Sequence, residues 1–571
     1  MKPVKQRLWH EKKYTVTCDI SAWSRELHIS PLICRLLCQR SVASMSEVRM
    51  FLTGTLANLP DPMLLCGIET ALTRIVKAIT GGEKIAIHGD YDVDGITGTA
   101  LLVTALTQFG AKVEYHIPLR LRDGYGLSEV ALHQAAQDGI ALIISVDCGI
   151  SALAEADVAA ELGLDLIITD HHQPLTTLPQ AVACINPWLS ECNYPFKQLS
   201  GVGVAFMLIV ALRSRLREMA LLPQPEPDIR YLLDLVAMGT IADIVPLHGV
   251  NRILVKSGLR LLEQGRRIGI KALKDVADVK QMSAGAVGFK LAPRLNAAGR
   301  LEDAALGVQL LLSENSAHAT DIANQVNSFN SQRQRIEAQV LSQAVERVMT
   351  ELSDDQHTIV LADDRWHPGV IGIVASRLVE MFHRPTVLIA IDADRGKGSA
   401  RSIRGFHLFN GFQYCAQHLI GFGGHEYAAG LSIKSADIGS FSAAFELYAQ
   451  ETISAAELQS IRNYDAEVLL QDVDRELLDE INTLEPFGAG NPQPVLLCRN
   501  VHIQKPVVVG EKHLRFTVQQ DGYSHPAIAF AMAERIDELQ GTVDIIFNLS
   551  LNIWRERETL QLQVKDFRLA Q

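Results

Sequence analysis

Residues 88–95 read His88-Gly-Asp90-Tyr-Asp92-Val-Asp94-Gly95 and follow directly on the apolar run Ile85-Ala-Ile87. That run is short, β-branched and free of charge, the composition of a strand buried on both faces. The cluster that ends it therefore lies where such a strand meets solvent. In an open α/β sheet, this carboxyl edge is where ligands bind. Three further runs end alike: Val146-Asp147-Cys148-Gly149, Thr169-Asp170-His171-His172 and Ile241-Ala242-Asp243-Ile244-Val245. A single Asp at a strand end is commonly a helix cap. Four such ends, one carrying adjacent histidines, predict one site that concentrates negative charge, and a pair of divalent cations is the usual reason to build one.

The flanking pattern alternates. Helical periodicity at 68–79, 95–109, 128–138 and 151–162 separates strand-like runs at 84–88, 112–117, 141–147 and 164–169. Apolar strands alternating with helices indicate a parallel, doubly wound α/β sheet. Working outward, 1–65 forms an N-terminal helical extension that ends at the breaker Asn58-Leu-Pro60-Asp61-Pro62, and 66–250 forms the sheet domain. Residues 251–353 are helical and finish in a long connecting helix, 317–351, which lacks Pro and Gly and has room for one break. A smaller α/β domain follows at 354–452, with glycine-dense segments at 395–399 and 421–425. Short β runs across 463–571 fit a small barrel of the OB type.

Composition narrows the function classes. The 571 residues are 48% hydrophobic and 21% charged, a globular balance. The longest apolar run, 201–212, falls short of the roughly 20 residues that cross a bilayer. No apolar segment follows the N-terminal charges, so a cytoplasmic protein is expected. Nine cysteines without a Cys-x-x-Cys pair argue against a disulfide framework and a structural zinc site. The net charge of −12 weakens a nucleic-acid reading less than it first suggests, because carboxylates that hold cations are neutralised by them. Basic patches at 213–217, 265–274 and 395–404 remain available to phosphates.

The spacing Asp90-x-Asp92-x-Asp94-Gly95 also fits the start of a calcium-binding EF-hand loop. That loop needs a bidentate Glu at position twelve, which here is Leu101, and the preceding element is a strand. Asp and His without thiolates favour Mn²⁺ or Mg²⁺. Asp147 could bridge two such ions, with His171 adding an imidazole and Asp243 a further carboxylate. Two close cations suit in-line displacement at phosphorus.

The order Asp-x-Asp-x-Asp-Gly, Val-Asp-Cys-Gly, Asp-His-His and a late Ala-Asp resembles the DHH phosphoesterase superfamily, and within it the bacterial single-strand-specific 5′→3′ DNA exonucleases. The resemblance runs nearly the whole length, through Gly398-Ser-Ala-Arg401-Ser402-Ile and Phe422-Gly-Gly-His425-Glu-Tyr-Ala-Ala-Gly430 to Leu560-Gln-Leu-Gln-Val-Lys-Asp566. It implies a DHH-type sheet domain, a DHHA1-type second domain and an OB-like barrel. It also implies that His88, Asp92 and Asp147 hold one metal and Asp94, Asp147, His171 and Asp243 the second, either Mn²⁺ or Mg²⁺. Asp90 would be a ligand to an added ion or a partner just outside the ligands, and His172 would face the scissile phosphate. Catalysis would rest on Asp92, Asp94, Asp147, His171 and His172.

Substrate contacts are expected from Ser399, Arg401 and Ser402, from Gly424 and His425, and from a phosphate-clamping turn carrying Arg294, Asn296 and Arg300. Arg122 and Tyr125 are further candidates, and His367 is a weaker one that also fits a helix entry. In the barrel, Lys512, Arg515, Phe516, Trp554 and Arg555 could grip a strand. The family further implies a monomer acting in DNA repair, recombination and mismatch repair, with a single-stranded-DNA-binding protein and a RecQ-type helicase as partners. Its selectivity would be steric, from a channel too narrow for a duplex. The alternative reading is a DHH phosphoesterase on short oligonucleotides, cyclic dinucleotides or polyphosphate, which would not need the barrel; a non-catalytic scaffold would have lost ligands that this chain keeps.

Overall fold

The computed structural model describes residues 7–14, 18–119, 124, 126–554 and 557–570. These form two compact units. Glu11–Val326 and Asn463–Gln571 make the larger, and Asn327–Arg462, with the described residues up to His10, the smaller.

The larger unit begins with helices α1 (Ile20–Leu27), α2 (Pro31–Cys38) and α3 (Met45–Thr53). Each starts on a side-chain cap: Asp19, Ser30, and a reciprocal Ser44–Glu47 box. A disulfide joins Cys18 to Cys38, against the expectation from cysteine spacing. The two helices fold back on each other beside buried Trp23, a tertiary proximity that spacing does not carry.

The sheet domain comprises α4 (Ile68–Gly81), β1 (Lys84–Gly89), α5 (Val93–Gln108), β2 (Lys112–His116), α6 (Glu129–Gln137), β3 (Ile140–Val146), α7 (Leu153–Glu161), β4 (Asp165–Thr169) and β5 (Ala183–Ile185). The strands run parallel in the order β2-β1-β3-β4-β5. Ile85, Ile87 and Leu142 to Ile144 are fully buried, as strands covered on both faces require. Strand order reverses between β1 and β3, and residues 88–95 and 146–149 leave the sheet at that crevice. Helices α8 (Gly201–Glu218), α9 (Leu233–Ala242) and α10 (Gly249–Gln264) pack behind it.

A π-helical turn, Val287–Leu291, leads into α11 (Ala292–Leu301). The expected phosphate-clamping turn at 293–300 is thus a helix. Pro293 falls in its first turn, where the missing N–H costs nothing, and small Ala297, Ala298 and Gly299 allow close packing. Helix α12 (Ser316–Glu351) runs 36 residues as one helix, without the break the sequence allowed.

In the smaller unit, β6 (Ile359–Asp363), α13 (Ile371–Phe382), β7 (Thr386–Asp392), β8 (Arg395–Arg401), β9 (Gly421–Gly424) and β10 (Ala428–Lys434) build a sheet ordered β9-β10-β8-β7-β6. The glycine-dense segment at 395–399 lies in strand β8, its backbone paired on both sides. Its glycines serve packing: a Cβ at Gly396 would lie 2.5 Å from Ile389, and one at Gly398 2.7 Å from Leu431.

The chain returns to the larger unit in a barrel of β11 (Leu496–Val509), β12 (His513–Gln520), β13 (Tyr523–Ala529), β14 (Thr542–Trp554) and β15 (Arg557–Leu569). It closes through β11–β14 pairing, and the short strand Ala466–Glu467 adds to β11. Barrel residues Phe547 and Phe567 share one core with Ile33, Leu36 and Leu37 of α2. Phe516, a candidate for strand contact, lies in that core at 3% exposure, because it alternates inward with Leu514 and Val518. The architecture is α/β throughout the first two domains, with a helical linker and a β-barrel.

Candidate metal centre and nucleic-acid face

Asp92 caps α5, its Oδ1 accepting from the N–H groups of Asp94 (2.9 Å) and Gly95 (3.2 Å). The cap role therefore holds for this residue alongside any other. Asp94, in the first turn of α5, is buried and accepts from Gly201 N–H at 2.6 Å and Val202 N–H at 2.9 Å, so the first turn of α8 faces a carboxylate. Asp147 leaves β3 in the left-handed region (φ 63°), and a Cβ on Gly201 would come within 2.6 Å of its Cβ. Asp243 follows α9. Gly239 on that helix lets it meet α5 closely, since a Cβ there would sit 2.3 Å from Thr97 and 2.7 Å from Asp94. Helix α11 presses on the same loop: Asn296 Oδ1 accepts from Val93 N–H at 3.2 Å, and a Cβ on Gly299 would lie 2.8 Å from Tyr91 O.

These elements bring the four sequence clusters together. His171 Nε2 stands 3.1 Å from Asp147, 3.5 Å from Asp243 and 3.9 Å from Asp94. Among the described residues, three groups offer ligand atoms within 4.8 Å of one another: Asp90, Asp92 and Asp147; Asp94, His171 and Asp243; and Asp147, His171 and His172. Asp147 belongs to two of them. Asp90 stands where the family pattern would put His88, which falls in none of the three groups.

Burial, then repulsion from Asp92, lifts the Asp94 carboxyl to about 7. Burial and Asp94 lift Asp243 to about 9, and burial with the neighbouring aspartates carries Asp147 well above the usual range. Burial pushes His88 down to about 3 and His171 to about 4, with His116 and His172 adding to it respectively. The buried His88 Nδ1, His171 Nε2 and Asp243 Oδ2 make no hydrogen bond. Orphaned donor atoms among crowded carboxylates fit divalent cations, whose charge reverses the carboxyl shifts and suits imidazoles that burial already holds neutral.

Asp170 plays a different part. It accepts from Ile150 N–H, from the backbone of His171 and His172, and from His172 Nδ1 at 2.7 Å. Burial opposes its ionisation, but the His172 hydrogen bond prevails and holds its carboxyl low. Likewise burial works against the His172 cation, and Asp170 overrides it to raise that imidazole.

The remaining candidates divide. In the smaller unit, Arg395, Lys397, Ser399 and Arg401 share one face of β8, and α13 begins over it, with a Cβ on Gly372 placed 2.8 Å from Ser399 Oγ and 3.3 Å from Arg401. Ser402 is turned away, its hydroxyl donating to Phe406 O. Gly424 (φ 136°) and exposed His425 form the β9–β10 turn. His367 accepts from Gly369 N–H ahead of α13, which suits a helix entry. In the larger unit, Arg294 donates to Lys290 O. The patch at 213–217 is neutralised, Arg213 and Arg217 by Glu226 and Arg215 by Glu69, and Arg267 is paired with Asp234. Arg122, Tyr125 and Arg555, and the Trp554 side chain, lie outside what the structure describes.

Sequence reading missed two aromatics. Phe289, on the π-helical turn, is 87% exposed, and Gly288 beside it packs on Ile241, two residues before Asp243. Phe530, at the end of β13, is half exposed against His513. Pairing register supplies the only signal for Phe530, and no sequence periodicity marks Phe289.

Residues 84–240 match the DHH family N-terminal domain, 324–451 the DHHA1 domain and 464–566 the RecJ OB domain. Fold and site together define a DHH-type protein. The Bacillus subtilis single-stranded-DNA-specific exonuclease RecJ is 39% identical over 96% of this chain and 69% of its own length. The Escherichia coli exonuclease of the same name is 37% identical over 96% of each chain. The crystal structure of Thermus thermophilus RecJ with Mn²⁺ superposes with a TM-score of 0.84 at 30% identity, covering 99% of this chain and 80% of that one. The chain belongs to the RecJ family. Among the described residues, no helix is long and apolar enough to cross a membrane.

Proposed function

We propose that this protein is a single-stranded-DNA-specific exonuclease that hydrolyses phosphodiesters in the 5′→3′ direction with two divalent cations, Mn²⁺ or Mg²⁺. The observation that carries this reading is the convergence of Asp90, Asp92, Asp94, Asp147, His171 and Asp243 at one sheet edge, where the buried His171 Nε2 and Asp243 Oδ2 make no hydrogen bond. His88 adds a further buried nitrogen. Bound there, such cations lower the pKa of an attacking water and stabilise the attacking and leaving oxygens. The chain's own residues do the rest. Asn296 and the first turn of α8 fix the loop that carries Asp92 and Asp94. Asp170 keeps a proton on His172 Nδ1, leaving that ring to face the scissile phosphate.

The smaller unit supplies an anion site: Ser399, Arg401 and the first N–H groups of α13 suit a phosphate of the strand, with His425 and Gly424 nearby on the same sheet. Arg294 and Arg300 on α11 add positive charge. In the barrel, the outer face of β11, β12 and β13 offers Arg515, His513 and Phe530 for backbone contact and base stacking, in place of Phe516. A single-stranded-DNA-binding protein and a RecQ-type helicase would present the substrate in the cytoplasm, the helicase by opening duplex into the strand this site accepts.

The test is digestion of end-labelled single- and double-stranded DNA with Mg²⁺ or Mn²⁺, each end blocked in turn. Loss of digestion on blocking the 5′ end, with duplex resistant, is expected. Equal attack from both ends, or on duplex, contradicts the reading.

A further inference from the structure

Asp243 ends α9, and the chain must turn before α10 begins at Gly249. The turn is strained. Ile244 lies in the left-handed region at φ 64°, yet its side chain is 73% exposed. A β-branched residue there is costly and persists only where its surroundings over-determine it.

The surroundings are the entry turn of the barrel domain, Gly488 to Asn491. Leu247 N–H donates to Ala489 O at 2.7 Å. Two glycines permit the approach: a Cβ at Gly488 would lie 2.6 Å from Leu247, and one at Gly490 (φ 69°) 2.8 Å from Pro246. The turn is rigid in itself. Gly488 and Asn491 exchange backbone hydrogen bonds, and buried Asn491 Nδ2 donates to Leu484 O and Pro486 O. From the opposite side, Asn251 Nδ2 donates to Pro246 O. Arg252, next on α10 and buried, directs its guanidinium to Phe51 O, Leu484 O and Glu485 O, tying α10 to α3 and to the chain that leads into the entry turn. The segment that follows Asp243 is therefore clamped by a domain distant in sequence.

We propose that the barrel's entry turn is a positioning element of the metal centre: by holding residues 244–247 it fixes Asp243, so the barrel domain sets cation affinity as well as contacting the strand. This rests on the reading of Asp243 as a ligand. The residues named act through Asp243 and touch no substrate.

Isothermal titration of Mn²⁺ into the metal-free full chain tests it, alongside KM for a 5′-phosphorylated oligonucleotide and the thermal midpoint. Gly490→Ala pushes on Pro246, whereas Ile244→Gly removes strain and so poses no folding hazard. Both should weaken Mn²⁺ binding by roughly three- to tenfold with KM little changed; Gly490→Ala, strained at φ 69°, should also lower the midpoint, whereas Ile244→Gly should not. Asp243→Ala is the reference and should weaken it further. If Asp243→Ala weakens Mn²⁺ binding while both other variants bind as the parent does, the coupling is overturned and the ligand reading stands. If Asp243→Ala also binds normally, both fall. Raised KM with unaltered Mn²⁺ binding likewise overturns the coupling, leaving the barrel as a strand-binding domain alone.

Discussion

Asp147 sits at φ 63° with Gly201 against its Cβ, so both its backbone and its side chain are fixed before any cation arrives. Asp147→Ala should lower cleavage by at least about a hundredfold and leave single-strand affinity within about twofold, measured by single-turnover digestion and fluorescence anisotropy. Full cleavage by the variant contradicts the site assignment. The same crowding gives the metal-free protein a pH dependence. Asp94 and Asp243 keep their protons up to about 7 and about 9, whereas in the unfolded chain they ionise at about 4. Across that window the folded state binds more protons than the unfolded one, so stability falls as pH rises. Mn²⁺ takes the protons' place. The metal-free melting temperature should fall from pH 5 to pH 9, and the rise produced by Mn²⁺ should grow over the same range. A Mn²⁺ effect independent of pH sinks this account.

Helix α11 and strand β8 show what pattern reading can and cannot deliver. The alternation of apolar strands with helices exposed the parallel sheet, and the charged ends of three strands exposed the candidate metal centre, because both are local signals; the Asp243 run, read as a fourth strand end, is the end of helix α9. Pro293, Gly299 and the glycines of β8 were read as loop chemistry, yet each answers a packing demand: Gly299 against Tyr91, Gly398 against Leu431. Such demands come from neighbours far along the chain. For the same reason Ser402 was read as a substrate contact although its hydroxyl is bonded to Phe406 O. Asn296 also has a task inside the fold that its sequence context does not reveal. Its side chain holds Val93 N–H, and Asn296→Ala leaves that donor without a partner. The variant should be destabilised by about 1–2 kcal/mol in denaturant unfolding and cleave several-fold more slowly. Unchanged stability and rate would assign Asn296 no part in holding the loop.

The whole chain carries a charge of −12, so any grip on a phosphate backbone has to be local. With about four cations engaged, log affinity for single-stranded DNA should fall with log salt at a slope of about −3, read by anisotropy titrations. A slope near zero would exclude the cationic face of β8 and Arg515 as the grip. The barrel separates two phenylalanines that composition treats alike. Phe530→Ala should raise KM by roughly tenfold through lost stacking, whereas Phe516→Ala should cost about 3–5 kcal/mol of stability. The barrel also shares its core with α1–α3, and Gln39 bonds to Asp465 across 426 residues. At ribosomal speeds of about 5–20 residues per second, the apolar faces of those helices emerge some 20 to 90 seconds before the surface that covers them. Newly made chains are thus exposed to premature association over that interval, and their yield in a cell depends on whatever shields α1–α3 until the barrel arrives.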